Sequence, residues 1–205
     1  KKKKNKEALQ TALGLRKDSS ALVLGVVSRL TQQKGFDLVR AVMEEMLNTL
    51  NIQIAALGTG EDQFQDFFRH YDWKYPDRVS ATIGYSEEIA HMIYAGADAF
   101  LMPSQFEPCG LSQLISMRYG TVPIVRETGG LKDTVEPYNE IWHTGNGFSF
   151  TNYHAGEMLT IVRYAYDVFC NYPKDWRGMM KRCMEMDHSW QSSAKKYEKL
   201  YQELS

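Results

Sequence analysis

The sequence predicts an α/β fold: an open parallel sheet with helices on both faces. Three observations carry this reading. Short β-rich runs alternate with longer amphipathic stretches, the runs are apolar at nearly every position, and the suggestive polar segments all follow runs of that kind. Regular alternation argues for right-handed βαβ units, and continuous apolar runs argue for strands buried on both faces. The strands are expected at "ALVLGVVS" (21–28), "IQIAALG" (52–58), "RVSATIG" (78–84), "DAFLM" (98–102) and "TVPIVR" (121–126). Between them "DLVRAVMEEMLNTL", "EDQFQDFFRHY", "SEEIAHMIYAGA" and "GLSQLISMRYG" place apolar residues at three-and-four spacing, the period of a one-sided helix. A sixth short strand, "GFSF" (147–150), follows a long loop. Three helices then come without strands between them: "GEMLTIVRYAYDVF", "KDWRGMMKRCMEM" and "SSAKKYEKLYQEL". The leading residues 1–17 read as a linker or tail, and 18–205 as one domain.

Composition narrows the partners. A chain of 205 residues is long enough for one sizeable core. With 24 Lys and Arg against 25 Asp and Glu there is no bulk charge bias, so neither nucleic acid nor a membrane surface is expected as a partner. Any anionic ligand must be held by a local cluster. Cys109, Cys170 and Cys183 are widely spaced, odd in number and form no CxxC pair, which fits a reducing compartment and no metal site. No apolar run reaches the roughly 20 residues of a membrane span, and "KKKKNKEALQ" lacks the apolar centre of a signal peptide. The expected location is the cytoplasm, with the plastid stroma after import as the alternative.

Ligands of open parallel sheets sit at the carboxyl ends of the strands. There this sequence places "SRLTQQKGF", "GTGED", "GYSEE", "PSQFEPCG" and "RETGGLKD". Arg29 and Lys34 bracket one strand-to-helix loop and can converge on a phosphate pair, the first as a planar fork and the second as a point charge. Two solvated surface charges fit the spacing equally well. "TGGL" (128–131) and Gly110 offer unobstructed backbone N–H groups, although a glycine pair before a helix is also an ordinary tight turn. Neither GxGxxG nor GxxxxGK[ST] is present. Tyr85 follows the third strand, where its ring could stack on a purine or simply cover the strand end. Glu107 is a lone carboxylate three residues ahead of Gly110. His91, on an amphipathic stretch, and His143 and His154, in loops, read as structural.

Taken together, "SRLTQQKGFDLV", "LGTGE", "IGYSEEIAHMIYAGADAFLMPSQFEPCGLSQLISMRYGTVPIVRETGGLKDTV" and "TGNGFSF" closely resemble the carboxyl-terminal half of bacterial glycogen synthases and plant starch synthases. The resemblance runs from about residue 5 onward. It implies one Rossmann-like half of a GT-B enzyme, a retaining glucosyltransferase whose active site lies in a cleft between two domains. It further implies that Arg29 and Lys34 grip the diphosphate of the donor, that Tyr85 stacks on its base and that Glu107 faces the glucosyl unit. Gly110 and Leu111 would give N–H groups to the distal phosphate, with Thr128 and Gly129 lining the same pocket. Cys109, in the same turn, counts as a small donor-site residue, expected to be buried and not a nucleophile. Where many other retaining GT-B enzymes carry a second acid eight positions after the first, this chain has Ile115, which leans toward the glucan synthases.

The implied reaction moves glucose from ADP-glucose or UDP-glucose to the non-reducing 4-hydroxyl of an α-1,4-glucan, with no cofactor and no metal. The family's amino-terminal domain, which carries the acceptor site, is not in this sequence, so the resemblance implies an inactive half enzyme. A freestanding nucleotide- or glucan-binding module and a sugar-nucleotide epimerase of related architecture are the alternatives.

Overall fold

A computed structural model describes residues 1–204. Helix α1 (Lys2–Ala12) precedes β1 (Leu22–Val27), and a single 3-10 turn (Gln32–Lys34) then leads into α2 (Phe36–Thr49). The chain continues through β2 (Ile52–Gly58), α3 (Asp62–Lys74), β3 (Val79–Ile83), α4 (Glu87–Gly96), β4 (Ala99–Met102), α5 (Ser112–Arg118), β5 (Val122–Arg126), α6 (Gly129–Thr134) and β6 (Phe148–Phe150). It ends with α7 (Ala155–Asn171), α8 (Pro173–Glu185) and α9 (Trp190–Glu203). The six expected strands all form, and every pairing between them is parallel.

Strand order is β3-β2-β1-β4-β5-β6. The chain therefore winds outward in one direction to β3, returns to the middle and winds outward in the other. Between β1 and β4 the loops leaving the strands diverge to opposite sides, opening the crevice in which such sheets bind ligands. The loops after β1 and β4 carry Lys34 and Glu107 respectively.

Alternating side chains of each central strand feed two apolar layers. One face of the sheet packs Leu22, Leu24 and Val26 with Phe36, Phe64 and Phe68 of α2 and α3 and with Met158 and Val162 of α7. The other face packs Val23 and Phe100 with Ile93 of α4, Met117 of α5 and Leu9 of α1. The third strand departs from expectation: only Val79 is buried and the rest is half-buried, because β3 lies at the sheet edge with β2 as its one neighbour. Among the described residues no helix is long and apolar enough to cross a membrane. Helix α9 has no buried residue, and its Trp190, Tyr197 and Tyr201 face outward.

Residues 1–17, read from sequence as a linker or tail, contain a helix built into the domain. Gly96 of α4 lets α1 approach so closely that a Cβ there would lie 2.6 Å from the Leu9 side chain. Beneath it Lys6 is buried and ion-paired with Asp98 at 2.6 Å, and its ammonium also donates to the carbonyl of Ala21 at 2.5 Å. Asp98 in turn accepts from the Val23 N–H at 2.9 Å. Burial pushes the Asp98 carboxyl pKa up and the neighbouring Lys6 opposes this. The pair ties α1 to the amino-terminal edge of β1 and β4. Removing one partner of a buried pair leaves the other charge uncompensated, so Lys6→Ala is expected to destabilise the chain by about 3–5 kcal/mol in urea unfolding. An unchanged midpoint would mean that α1 is dispensable to the fold.

Candidate functional site

The site is assembled from loops at the carboxyl ends of β1, β4 and β5. After β1 the chain makes its 3-10 turn and reverses at Gly35, whose φ is +80°. A Cβ on Gly35 would lie 2.0 Å from the carbonyl oxygen of Pro103, so only glycine lets this loop rest on the backbone that follows β4. The contact is extended by the Gln105 N–H, which donates to the Gln33 carbonyl at 2.8 Å. The third loop arrives in the same manner. Gly129, at φ +44°, would place a Cβ 2.3 Å from the Glu107 carbonyl, and Gly130 would place one 1.9 Å from that of Cys109.

This stacking sets Lys34 and Glu107 side by side. The Lys34 ammonium reaches Glu107 Oε2 at 2.5 Å, with the two side chains only 16% and 10% exposed. Ser104 Oγ donates to the same carboxylate oxygen at 3.2 Å. An ammonium has three N–H donors and Glu107 engages one, so Lys34 retains capacity for a second anion. Arg29 is exposed and its guanidinium makes no hydrogen bond or ion pair among the described residues. With Tyr85, Gly58, Thr59 and Gly84 it lines a cleft of about 280 Å³ across the ends of β1, β2 and β3. Tyr85 is 90% exposed, which leaves its ring face open. The structure thus pairs Lys34 with Glu107 and puts Arg29 and Tyr85 on the wall of one cleft. The two cations do not share a partner.

Other expected site residues divide. Helix α5 starts at Ser112 and not at Gly110, since Gly110 takes φ +71° and turns the chain first. Leu111 caps that helix and is 67% exposed. Thr128 caps α6, and the Gly130 N–H donates to the Glu107 carbonyl at 3.1 Å, so part of the glycine pair serves the junction between loops. Cys109 corrects the reading of a buried cysteine: its side chain points outward from the turn and is exposed. The buried cysteine is Cys183, whose thiol donates to the Asn146 carbonyl and whose pKa burial pushes up to about 12. His91 packs its ring against Tyr119, His143 pairs with Asp175 at 3.1 Å and His154 caps α7. None of these histidines lines the Arg29 cleft or touches Lys34 or Glu107.

Sequence reasoning missed a brace behind the site. Arg126 at the end of β5 donates to the carbonyls of Gln105 at 2.9 Å and Ser104 at 3.4 Å, and its guanidinium lies 5.6 Å over the Tyr153 ring. The Tyr153 hydroxyl donates to Asp37 Oδ1 at the start of α2 and lies 3.2 Å from the Gln32 carbonyl. Burial and Asp37 together raise its pKa. Arg126 closes the quoted "TVPIVR" strand and was legible as a charge at a strand end; nothing in the pattern marked Tyr153.

A match to the sequence profile described as "Glycosyl transferases group 1" covers residues 11–167. The chain belongs to that family. It is 62% identical over 98% of its length to a glycogen synthase of Lachnospira eligens and 56% identical over the same share to one of Lachnoclostridium phytofermentans. The chain spans 42% of the length of each. Among solved structures it superposes on the catalytic domain of starch synthase IV from Arabidopsis thaliana, bound to ADP and acarbose, with a TM-score of 0.87 and 34% identity. That match covers 98% of this chain and 42% of the other. In this member of the family the Lys34 to Glu107 pair and the cleft lined by Arg29 and Tyr85 lie at the edge where open parallel sheets bind ligands.

Gly35 is the position on which this geometry depends most directly. Gly35→Ala is expected to destabilise by more than about 2 kcal/mol, because the left-handed backbone alone costs roughly 1–2 kcal/mol for a residue with a Cβ and the collision with Pro103 adds to it. Guanidinium titration of the variant checks this. Wild-type stability would show that the two loops separate without cost.

Proposed function

We propose that this chain is the donor-binding half of an α-glucan synthase, which transfers glucose from a nucleoside diphosphate glucose to the 4-hydroxyl at a glucan end with retention of configuration. The observation that carries the reading is the buried Lys34 to Glu107 pair at the crevice between β1 and β4, with the open Arg29 and Tyr85 cleft beside it. A ligand spanning both would need an aromatic base for Tyr85, an anionic centre for the cations and hydroxyls for Glu107. A sugar nucleotide has these parts in that order. The identity to glycogen synthases supports the glucan as acceptor, and the starch synthase solved with ADP supports ADP-glucose over UDP-glucose.

In this reading the leaving group is a diphosphate, and the barrier falls chiefly by stabilising the negative charge that grows on its oxygen. Lys34 is suited to this because Glu107 and the surrounding loops hold it in place before the donor arrives. Each charge-assisted hydrogen bond contributes about 1.5–3 kcal/mol. Glu107, held in place by the Lys34 ammonium and the Ser104 hydroxyl, is suited to accept hydrogen bonds from sugar hydroxyls. The exposed thiol of Cys109 has no base beside it among the described residues and takes no part as a nucleophile. The acceptor has no evident cradle on this edge, and the relatives' remaining length is where one would lie.

Three outcomes follow for an enzyme containing this chain. Lys34→Ala lowers turnover by roughly 10²–10³ with a smaller loss of donor affinity, since it deletes a preorganised charge at the leaving group. Arg29→Ala gives a comparable loss if it shares that charge, and near-normal turnover in either variant removes the residue from the assignment. Tyr85→Ala chiefly weakens nucleotide binding, because stacking acts alike in ground and transition states. Steady-state kinetics with radiolabelled donor separates these effects. The 205-residue chain alone is expected to bind ADP weakly in a calorimetric titration and to extend no glycogen, since among the described residues no cradle would hold an acceptor about 3–3.5 Å from the sugar carbon. Glucan extension by the isolated chain would overturn the division of labour.

A further inference from the structure

Gln113 is fully buried on α5, directly beneath the turn that carries Cys109, Gly110 and Leu111. Its Nε2 donates to the Gly110 carbonyl at 2.9 Å and to the Cys109 carbonyl at 3.1 Å, and lies 3.4 Å from Thr134 Oγ1 on α6. One side-chain amide thus holds two successive carbonyls of the turn. Every peptide bond here is trans. In a planar trans peptide the C=O and N–H of one unit point in opposite directions. The Cys109 carbonyl shares its unit with the Gly110 N–H, and the Gly110 carbonyl shares its unit with the Leu111 N–H. Drawing both carbonyls toward a buried side chain therefore turns both N–H groups away from it.

The backbone angles agree. Gly110 is left-handed at φ +71° and Leu111 is right-handed at φ −109°, ψ −31°. That succession gathers neighbouring N–H groups into a concavity suited to an anion. Among the described residues neither N–H has a hydrogen-bond partner in the protein. Packing alone does not ask for glutamine at this position. Gln113 Oε1 is buried without a partner, which costs stability that an apolar side chain of the same size would not incur. What glutamine supplies is a nitrogen with two hydrogens, one for each carbonyl.

We propose that Gln113 is a positioning residue for the donor's distal phosphate: it fixes the two peptide planes whose N–H groups receive that phosphate. The inference rests on the donor-site reading above and adds a residue that never touches the ligand. It is tested in the enzyme containing this chain by titrating wild type, Gln113→Met and Gln113→Asn with ADP and with AMP, which lacks the distal phosphate. Methionine keeps the volume and loses both hydrogens; asparagine keeps the amide and is too short to span both carbonyls. In either variant ADP affinity should fall about tenfold, the order expected from weakening charge-assisted hydrogen bonds, while AMP affinity stays within about twofold. A merely structural role would weaken both nucleotides together. Folded variants with the wild-type ratio of ADP to AMP affinity overturn the proposal.

Should neither variant fold, amide exchange in the wild-type segment 110–111 tests the premise that these two N–H groups receive the distal phosphate. ADP but not AMP must slow it, and equal protection by both overturns the proposal. A wild type that binds neither nucleotide would instead sink the donor-site reading itself, and this inference with it.

Discussion

Three loops of this domain meet backbone against backbone, and that close approach is the constraint on which the site depends. Side chains normally keep strand-end loops several ångströms apart. Here Gly35 rests on the Pro103 carbonyl, Gly129 on that of Glu107 and Gly130 on that of Cys109. Because no Cβ intervenes, the loops after β1, β4 and β5 behave as a single layer. Lys34 and Glu107, 73 residues apart in the chain, therefore come within 2.5 Å of one another with little solvent between them. A buried ion pair of this kind is weak evidence for stability, since desolvation offsets much of the attraction. Its value lies in orientation: each charge is held by the other and is aimed before any ligand arrives.

The polar groups behind this layer work toward the same end. Arg126 grips the carbonyls before Glu107, Tyr153 carries that brace across to Asp37 and Gln32, and Gln113 holds the turn from below. Each of the three acts on main-chain carbonyls or loop termini and leaves the ligand edge itself clear. By contrast Arg29 and Tyr85 are unrestrained and exposed. The candidate site thus combines a braced, charged end with an open aromatic end.

The opposite end of the sheet holds a second buried pair, Lys6 with Asp98. Its partners are the Ala21 carbonyl and the Val23 N–H at the start of β1. One pair closes the bottom of the central strands and fastens α1; the other orders the loops at their top. Both use a lysine from one element and a carboxylate from the chain around β4, the strand on which the sheet reverses direction.

By itself the sequence determined the layered fold, because strand and helix periods are local properties of a few successive side chains and their alternation argues for parallel βαβ units; the strand order came from the structure. All six strands, the major helices after β1 and the sheet edge that carries Arg29, Lys34, Tyr85 and Glu107 were legible in that way. The motifs around Glu107 and Thr128 likewise identified the family. Other features were decided only by tertiary structure. That residues 1–17 contain a packed helix turned on Asp98, distant in sequence; that β3 is half-exposed turned on its lying outermost; and that Cys109 is exposed emerged only with the folded turn. The pairing of Lys34 with Glu107 likewise required the glycine contacts between loops that no local pattern encodes. Spacing along a chain sets which face a side chain can occupy, but its partner is set by the path of backbone folded against it.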